Sequence, residues 1–180
     1  MVEKPLKIFL VAGEPSGDAL AARMMVGLKG KTDKEIQFFG VGGPLMAEEG
    51  LESLFPMDEL TVMGIAEVLP RIPALLKRIN QTAEAVKDIQ PDLFNTVDAP
   101  DFSFRVARKL KSTPFPKVHY VAPSVWAWRP GRAKKIAKLY DHLLTILPFE
   151  PPYFEKEGLS SSFIGHSVIE GGADHGNRQN

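Results

Sequence analysis

Leu6-Lys-Ile-Phe-Leu-Val-Ala-Gly-Glu-Pro-Ser-Gly-Asp-Ala-Leu-Ala-Ala-Arg-Met-Met-Val-Gly-Leu28 decides the fold class. Leu6 to Ala12 is a near-continuous apolar run, the pattern of a strand covered on both faces, and Ala19 to Leu28 reads as a helix. Gly13 and Gly17 let the backbone turn tightly between them. Outward from this unit the same alternation recurs. Ile36 to Val41 is a strand running into a turn rich in Gly40, Gly42 and Gly43. Leu93 to Val97 is a strand and Phe102 to Leu110 a helix; Val118 to Ala122 is a strand and Arg132 to Tyr140 a helix. Leu143 to Leu147, Pro152 to Glu157 and Ser162 to Ile164 close the series as strand, helix and strand. Such alternation implies parallel strands with right-handed crossovers, an α/β doubly wound, mostly parallel sheet with helices on both faces.

With 180 residues, 44% of them hydrophobic, the chain is long enough for one well-packed domain and short for two. Residues 1–170 are assigned to that domain. Residues 171–180 carry Gly171, Gly172 and Gly176 and no large apolar side chain, so they are expected to form a disordered tail. Lys and Arg balance Asp and Glu at 22 each, which argues against a nucleic-acid partner and leaves any charge steering local. The absence of cysteine removes disulfides and thiolate metal sites and fits a reducing compartment. His119, His142, His166 and His175 lack metal-ligand spacing, so neither a metal nor a cofactor is expected. The apolar run Ile8 to Ala12 is too short for a signal sequence, and no run approaches the roughly 20 apolar residues that span a bilayer. A soluble or peripheral protein is expected.

In an open parallel sheet, ligands bind beyond the carboxyl ends of the strands, so the loops there hold the candidate residues. After the first strand come Glu14, Ser16, Gly17 and Asp18, where the following helix offers unpaired N–H groups to an anion. The loop lacks G-x-G-x-x-G and is not a Walker A loop. Ser16 or Asp18 could equally serve as a helix N-cap; Glu14 is harder to explain by capping. Asp98 ends the strand Leu93 to Val97, where partial burial suits a carboxylate to general-base work or to anchoring a loop by hydrogen bonds, and Asp101 is better placed as a helix cap. The connection His119 to Arg132 holds Ser124, Trp126, Trp128 and Arg129 between a strand and a helix, either lining a ligand site or packing the sheet edge. Glu150 and His166 follow two further strands and face the same edge.

Between Met63 and Ile79, the apolar Val68, Leu69, Ile72, Leu75, Leu76 and Ile79 fall at helical spacing beside Arg71, Lys77 and Arg78. A basic, apolar helix can lie in a lipid interface. The plainer alternative is a helix packing its stripe on the sheet.

Seven ordered blocks in the chain resemble the lipid A disaccharide synthase family, inverting glycosyltransferases of GT-B architecture. They are Gly13-Glu-Pro-Ser-Gly-Asp18, Gly42-Gly-Pro44, Met63-Gly-Ile-Ala-Glu-Val-Leu69, Asp98-Ala-Pro-Asp-Phe102, His119 to Arg129, Leu147-Pro-Phe-Glu150 and Phe163-Ile-Gly-His166. The resemblance implies transfer of 2,3-diacylglucosamine from its UDP carrier to 2,3-diacylglucosamine 1-phosphate, with release of UDP, at the cytoplasmic face of a Gram-negative inner membrane. It implies that Asp98 is the base and that residues 13–18 face the interdomain cleft. It also implies a peripheral protein on an anionic lipid surface, needing no cofactor, and only the Rossmann-like N-terminal half of such an enzyme. The C-terminal domain, which supplies most UDP-sugar contacts in the family, is expected to be absent, and with it most of the activity. Ser167 and Leu45 depart from the residues common in the family, proline and arginine respectively, and residues 171–180 are expected to lie outside the family's pattern.

Overall fold

The computed structural model describes residues 4–60, 65–125 and 131–165, and of 65–71 the backbone alone. Seven strands form a single sheet: β1 (Leu6–Ala12), β2 (Ile36–Val41), β3 (Glu52–Ser53), β4 (Leu93–Val97), β5 (Lys117–Tyr120), β6 (His142–Thr145) and β7 (Ser160–Phe163). All pair in parallel, in the order β3-β2-β1-β4-β5-β6-β7. Helices α1 (Pro15–Lys29), α2 (Pro44–Glu48), α3 (Ile65–Ile89), α4 (Pro100–Lys109), α5 (Gly131–Ile136) and α6 (Pro151–Glu155) connect them, with a 3-10 turn at Met57–Leu60.

β1 is central because it can bury both faces. Ile8, Leu10 and Ala12 point to one side, where they meet Ala21 and Met25 of α1 and Met46 of α2. Phe9 and Val11 point to the other, into a cluster with Ile79, Ala83 and Val86 of α3, Phe104 of α4 and Ile136 of α5. The period of two along the strand thus divides the core into two layers, α1 and α2 on one face and α3 to α6 on the other. Gly40 lies at φ +141, and a Cβ there would collide with the carbonyl oxygen of Leu10. Only glycine lets β2 run this close to β1.

The expected α/β architecture is observed, with shifts in its details. β5 and β6 stop at Tyr120 and Thr145, before Ala122 and Leu147. Val121 has φ +76, which a β-branched side chain strongly disfavours, and this turn takes the chain out of the sheet. α5 is shorter than Arg132 to Tyr140, its last turn loosening after Ile136. β3, α2 and the 3-10 turn are elements that the apolar pattern does not signal. Pro44 opens α2 at its first helical position, where a missing N–H costs nothing.

Candidate functional site

The strand order reverses its direction of growth between β1 and β4, and beyond their carboxyl ends lies the crevice in which open α/β sheets are expected to bind their ligands. Two turns build it. From β1, Glu14 adopts extended backbone as the N-cap of α1 without capping through its side chain, leaving Glu14 and Ser16 exposed. From β4, Asp98 and Ala99 both take left-handed backbone, with φ of +53 and +44, before α4 begins. Two consecutive non-glycine residues in that region are uncommon and store strain that the surroundings must hold.

The surroundings do hold it. The Asp98 amide donates to the Tyr120 carbonyl at 3.0 Å, and the Ser103 hydroxyl donates back to the Asp98 carbonyl at 3.0 Å. Gly13 and Gly17 let the two turns nest. A Cβ on Gly13 would lie 2.8 Å from the Ala99 Cβ, and one on Gly17 would lie 3.2 Å from the Val97 carbonyl oxygen. Across the crevice, the Ser16 hydroxyl faces Oδ2 of half-buried Asp98 at 3.4 Å. The backbone bonds and the nested turns hold the Asp98 backbone, and among the described residues Ser16 is the side chain that meets its carboxylate.

Other candidate residues have different work. Asp18 is buried, 2% exposed, and its carboxylate accepts from the amides of Gly43 at 2.9 Å, Leu45 at 3.0 Å and Met46 at 3.1 Å. It caps α2 from across the fold, so the structure uses it as a clasp. The same clasp explains Gly43, whose Cβ would stand 2.5 Å from Asp18 Oδ2. Gly17 is buried as a packing residue. Glu150 is 2% exposed and accepts from the Leu147 amide at 3.1 Å, which ties its carboxylate into the turn after β6. Ser124 is exposed. Trp126, Trp128, Arg129 and His166 lie outside the described residues, as do the side chains of Val68, Leu69 and Arg71.

The stripe on α3 divides. Ile79 is 1% exposed and belongs to the core, which removes it from any membrane face; Leu75 packs at the margin of that core. Ile72 and Leu76 are exposed at 39% and 45%, and Lys77 is exposed beside them. Arg78 donates from Nε and Nη2 to the two carboxylate oxygens of Glu59 at 2.7 and 2.6 Å, and its guanidinium lies 4.6 Å from the Phe55 ring centroid. That fork joins α3 to the 3-10 turn and holds the Glu59 carboxyl below the usual range, so Arg78 acts as a strut between them.

A buried polar group lies outside the candidate residues. His119 Nδ1 lies 2.7 Å from the Thr96 hydroxyl, which lies 2.9 Å from the Tyr140 hydroxyl, with the Phe104 ring edge-on to the imidazole at 5.0 Å. Burial pushes the histidine down to about 3 and the tyrosine up, so both stay neutral. In β5, His119 falls on the same face as Lys117, opposite Val118 and Tyr120, so the strand's pattern does not mark it as buried, and nothing nearby in sequence marks its partners. This group joins β4, β5 and the turn that follows α5.

A seven-stranded parallel sheet in this order, with its crevice at the β1–β4 switch point, is a Rossmann-like domain of the GT-B type. Two solved structures share it: a UDP-GlcNAc 2-epimerase from Neisseria meningitidis bound to UDP-GlcNAc, with a TM-score of 0.63 at 12% identity over 92% of this chain and 47% of that one, and a Glycyrrhiza uralensis protein complexed with glycyrrhetinic acid 3-O-monoglucuronide, with a TM-score of 0.58 at 10% identity over 92% and 50%. At those identities the likeness concerns the fold alone. The family is decided by sequence: the family model described as lipid-A-disaccharide synthetase matches residues 8–179, running through most of the stretch 171–180 set apart above, and the chain belongs to that family. Lipid-A-disaccharide synthases of Rhodospirillum centenum and Ruegeria pomeroyi are 58% and 54% identical over 96% and 91% of the chain. The chain spans 44% and 41% of the length of those two relatives.

Proposed function

We propose that this chain supplies the acceptor side of an inverting glycosyl transfer, with Asp98 as the general base. The observation that carries the reading is the Asp98 carboxylate, presented at the switch-point crevice by two strained residues and faced by Ser16 at 3.4 Å. The acceptor is 2,3-diacylglucosamine 1-phosphate and the donor is UDP-linked 2,3-diacylglucosamine. A hydroxyl oxygen of the acceptor attacks the anomeric carbon of the donor, while its proton passes to Asp98. The bond from that carbon to the diphosphate oxygen breaks with inversion, and UDP departs with the electron pair. The Ser16 hydroxyl orients the carboxylate, and exposed Glu14 and Ser124 form rim contacts to the sugar. Leaving-group contacts belong to a C-terminal half, which the relatives' greater length has room for. The acyl chains are drawn from an anionic inner-membrane surface met by Ile72 and Leu76, with Lys77 toward the head groups.

Two measurements test the assignment. In a chain completed with the C-terminal portion of a relative, Asp98→Asn is expected to lower kcat by a factor on the order of 10² to 10⁴ with little change in KM. Near-normal kcat in that variant would remove Asp98 from the role of base. The 180-residue chain alone, supplied with both lipids, is expected to form little disaccharide.

A further inference from the structure

The charge balance of the whole chain hides a strong local asymmetry. Between Phe102 and Tyr140 the sequence carries ten lysines and arginines and neither aspartate nor glutamate, although the chain as a whole has 22 of each sign. The structure gathers part of this charge into one groove of about 630 Å³ between α4 and α5. Arg105 and Arg108 line it from α4, Arg132 and Lys135 from α5, and Asp101 is the one acidic residue among its lining. Asp101 does not neutralise the groove, since it is almost fully exposed and meets Arg132 only at 3.6 Å. The floor is apolar: Phe104 and Ile136 lie buried beneath it, and half-buried Leu139 and Pro100 are its accessible apolar residues. Phe104 is further occupied, with the Arg132 guanidinium 5.8 Å from its ring centroid.

We propose that the α4–α5 groove is a binding site for a phosphate-bearing amphiphile, an anionic phospholipid head group with the first carbons of its chains. Its volume falls within the roughly 300–1,000 Å³ of small-molecule sites. The cations meet the phosphate and the aliphatic floor meets the glycerol and upper chain. A lipid is favoured over nucleic acid because Phe104, the one aromatic residue among the described residues lining the groove, is buried beneath Arg132 and presents no free face for a base to stack on. The neighbouring α3 packs against α4 on the same side of the sheet and exposes Ile72 and Leu76. Asp98 is not among the residues lining the groove, and the proposal does not depend on the transferase reading.

The test uses the 180-residue chain and dihexanoyl phosphatidic acid below its micelle concentration, followed by calorimetry. One saturable site per chain is expected. Arg105→Gln with Lys135→Gln should weaken it by on the order of tenfold or more, since each cation near an anionic head group contributes about 1 kcal/mol. Arg105→Lys with Lys135→Arg should retain most of the binding, and unchanged near-ultraviolet dichroism would show that both variants fold. Equal affinity for dihexanoyl phosphatidylcholine would overturn the proposal, as would binding untouched by the double glutamine variant. Inorganic phosphate competing at the same concentration would make the groove a free-anion site and overturn the lipid assignment. Tighter binding of a single-stranded oligonucleotide would overturn it in favour of nucleic acid.

Discussion

Asp18 and Asp98 look alike in the sequence, each an acidic residue just beyond a strand, yet the fold uses them oppositely. Asp98 was legible because a strand end is legible: the apolar run stops at Val97, and whatever follows must lie at the ligand edge. Asp18 was not, because its partners at Gly43, Leu45 and Met46 lie 25 to 28 residues away, and capping is usually read within a single helix. Three amides on one buried carboxylate predict that Asp18→Ala costs about 3 kcal/mol or more, whereas Ser16→Ala, losing one long hydrogen bond at an exposed position, costs under about 0.5 kcal/mol. Urea denaturation of the two variants checks this, and equal stabilities would return Asp18 to the list of free ligands. His119 adds a pH dependence. Its folded value of about 3 lies below the ordinary 6.5, so between those limits the unfolded chain binds a proton that the folded chain refuses. Stability from this residue is therefore complete above pH 6.5 and is lost as pH falls toward 3, by on the order of a few kcal/mol across the window. In His119→Gln the difference in stability between pH 7 and pH 4.5 should shrink even though the variant is weaker at both; an unchanged difference would assign the acid sensitivity to other groups.

Among the elements, the long and strongly patterned ones were readable and the short ones were not. β1, α1, β2, β4 and α4 announce themselves through apolar runs and helical spacing, but β3 has only two residues and α2 only five, too few to show either period. α3 extends to Ile89, ten residues past the stripe that signals it, and its early part holds Pro70 and Pro73, residues that ordinarily end a helix. Val121 explains the misplaced end of β5. Valine favours strands, and only the pull of its tertiary surroundings puts it at φ +76. The two faces of α3 also make a prediction at this scale. Ile79→Ala opens a cavity in the core and should cost about 2–5 kcal/mol, while Ile72→Ser with Leu76→Ser removes only exposed apolar surface and should change stability by less than about 1 kcal/mol. Thermal unfolding of both decides it. If the serine pair proves as damaging as the alanine, those side chains are packed in the folded chain and the helix has no face to offer a lipid.

For the whole molecule, a parallel sheet with short edge strands distributes stability unevenly from centre to rim. From Phe9 to Ala12, β1 is fully buried, pairs with β2 over six residues and with β4 over five, and lies between α1 on one side and α3 on the other. At the far rim, β7 pairs only with β6, and its residues are exposed or half-buried, with Phe163 and Ile164 each 47% exposed. β3 at the opposite rim meets β2 through two residues. Opening β7 or β3 exposes little apolar surface, whereas opening β1 exposes both core layers together, so the free energy of opening should rise toward the centre. Native-state hydrogen exchange of the 180-residue chain is expected to give the greatest protection, close to that of global unfolding, at Leu10, Val11, Thr96 and Val97, and the least in Ser160–Phe163 and Glu52–Ser53. The candidate base would then stand on the most rigid part of the fold, held in place by β4, while the rim nearest the end of the described chain opens first. Addition of the C-terminal portion of a longer relative should raise protection in β7 more than in β1. Protection of β7 equal to that of β1 in the isolated chain would contradict this gradient and show that the rim is already fully packed without a second domain.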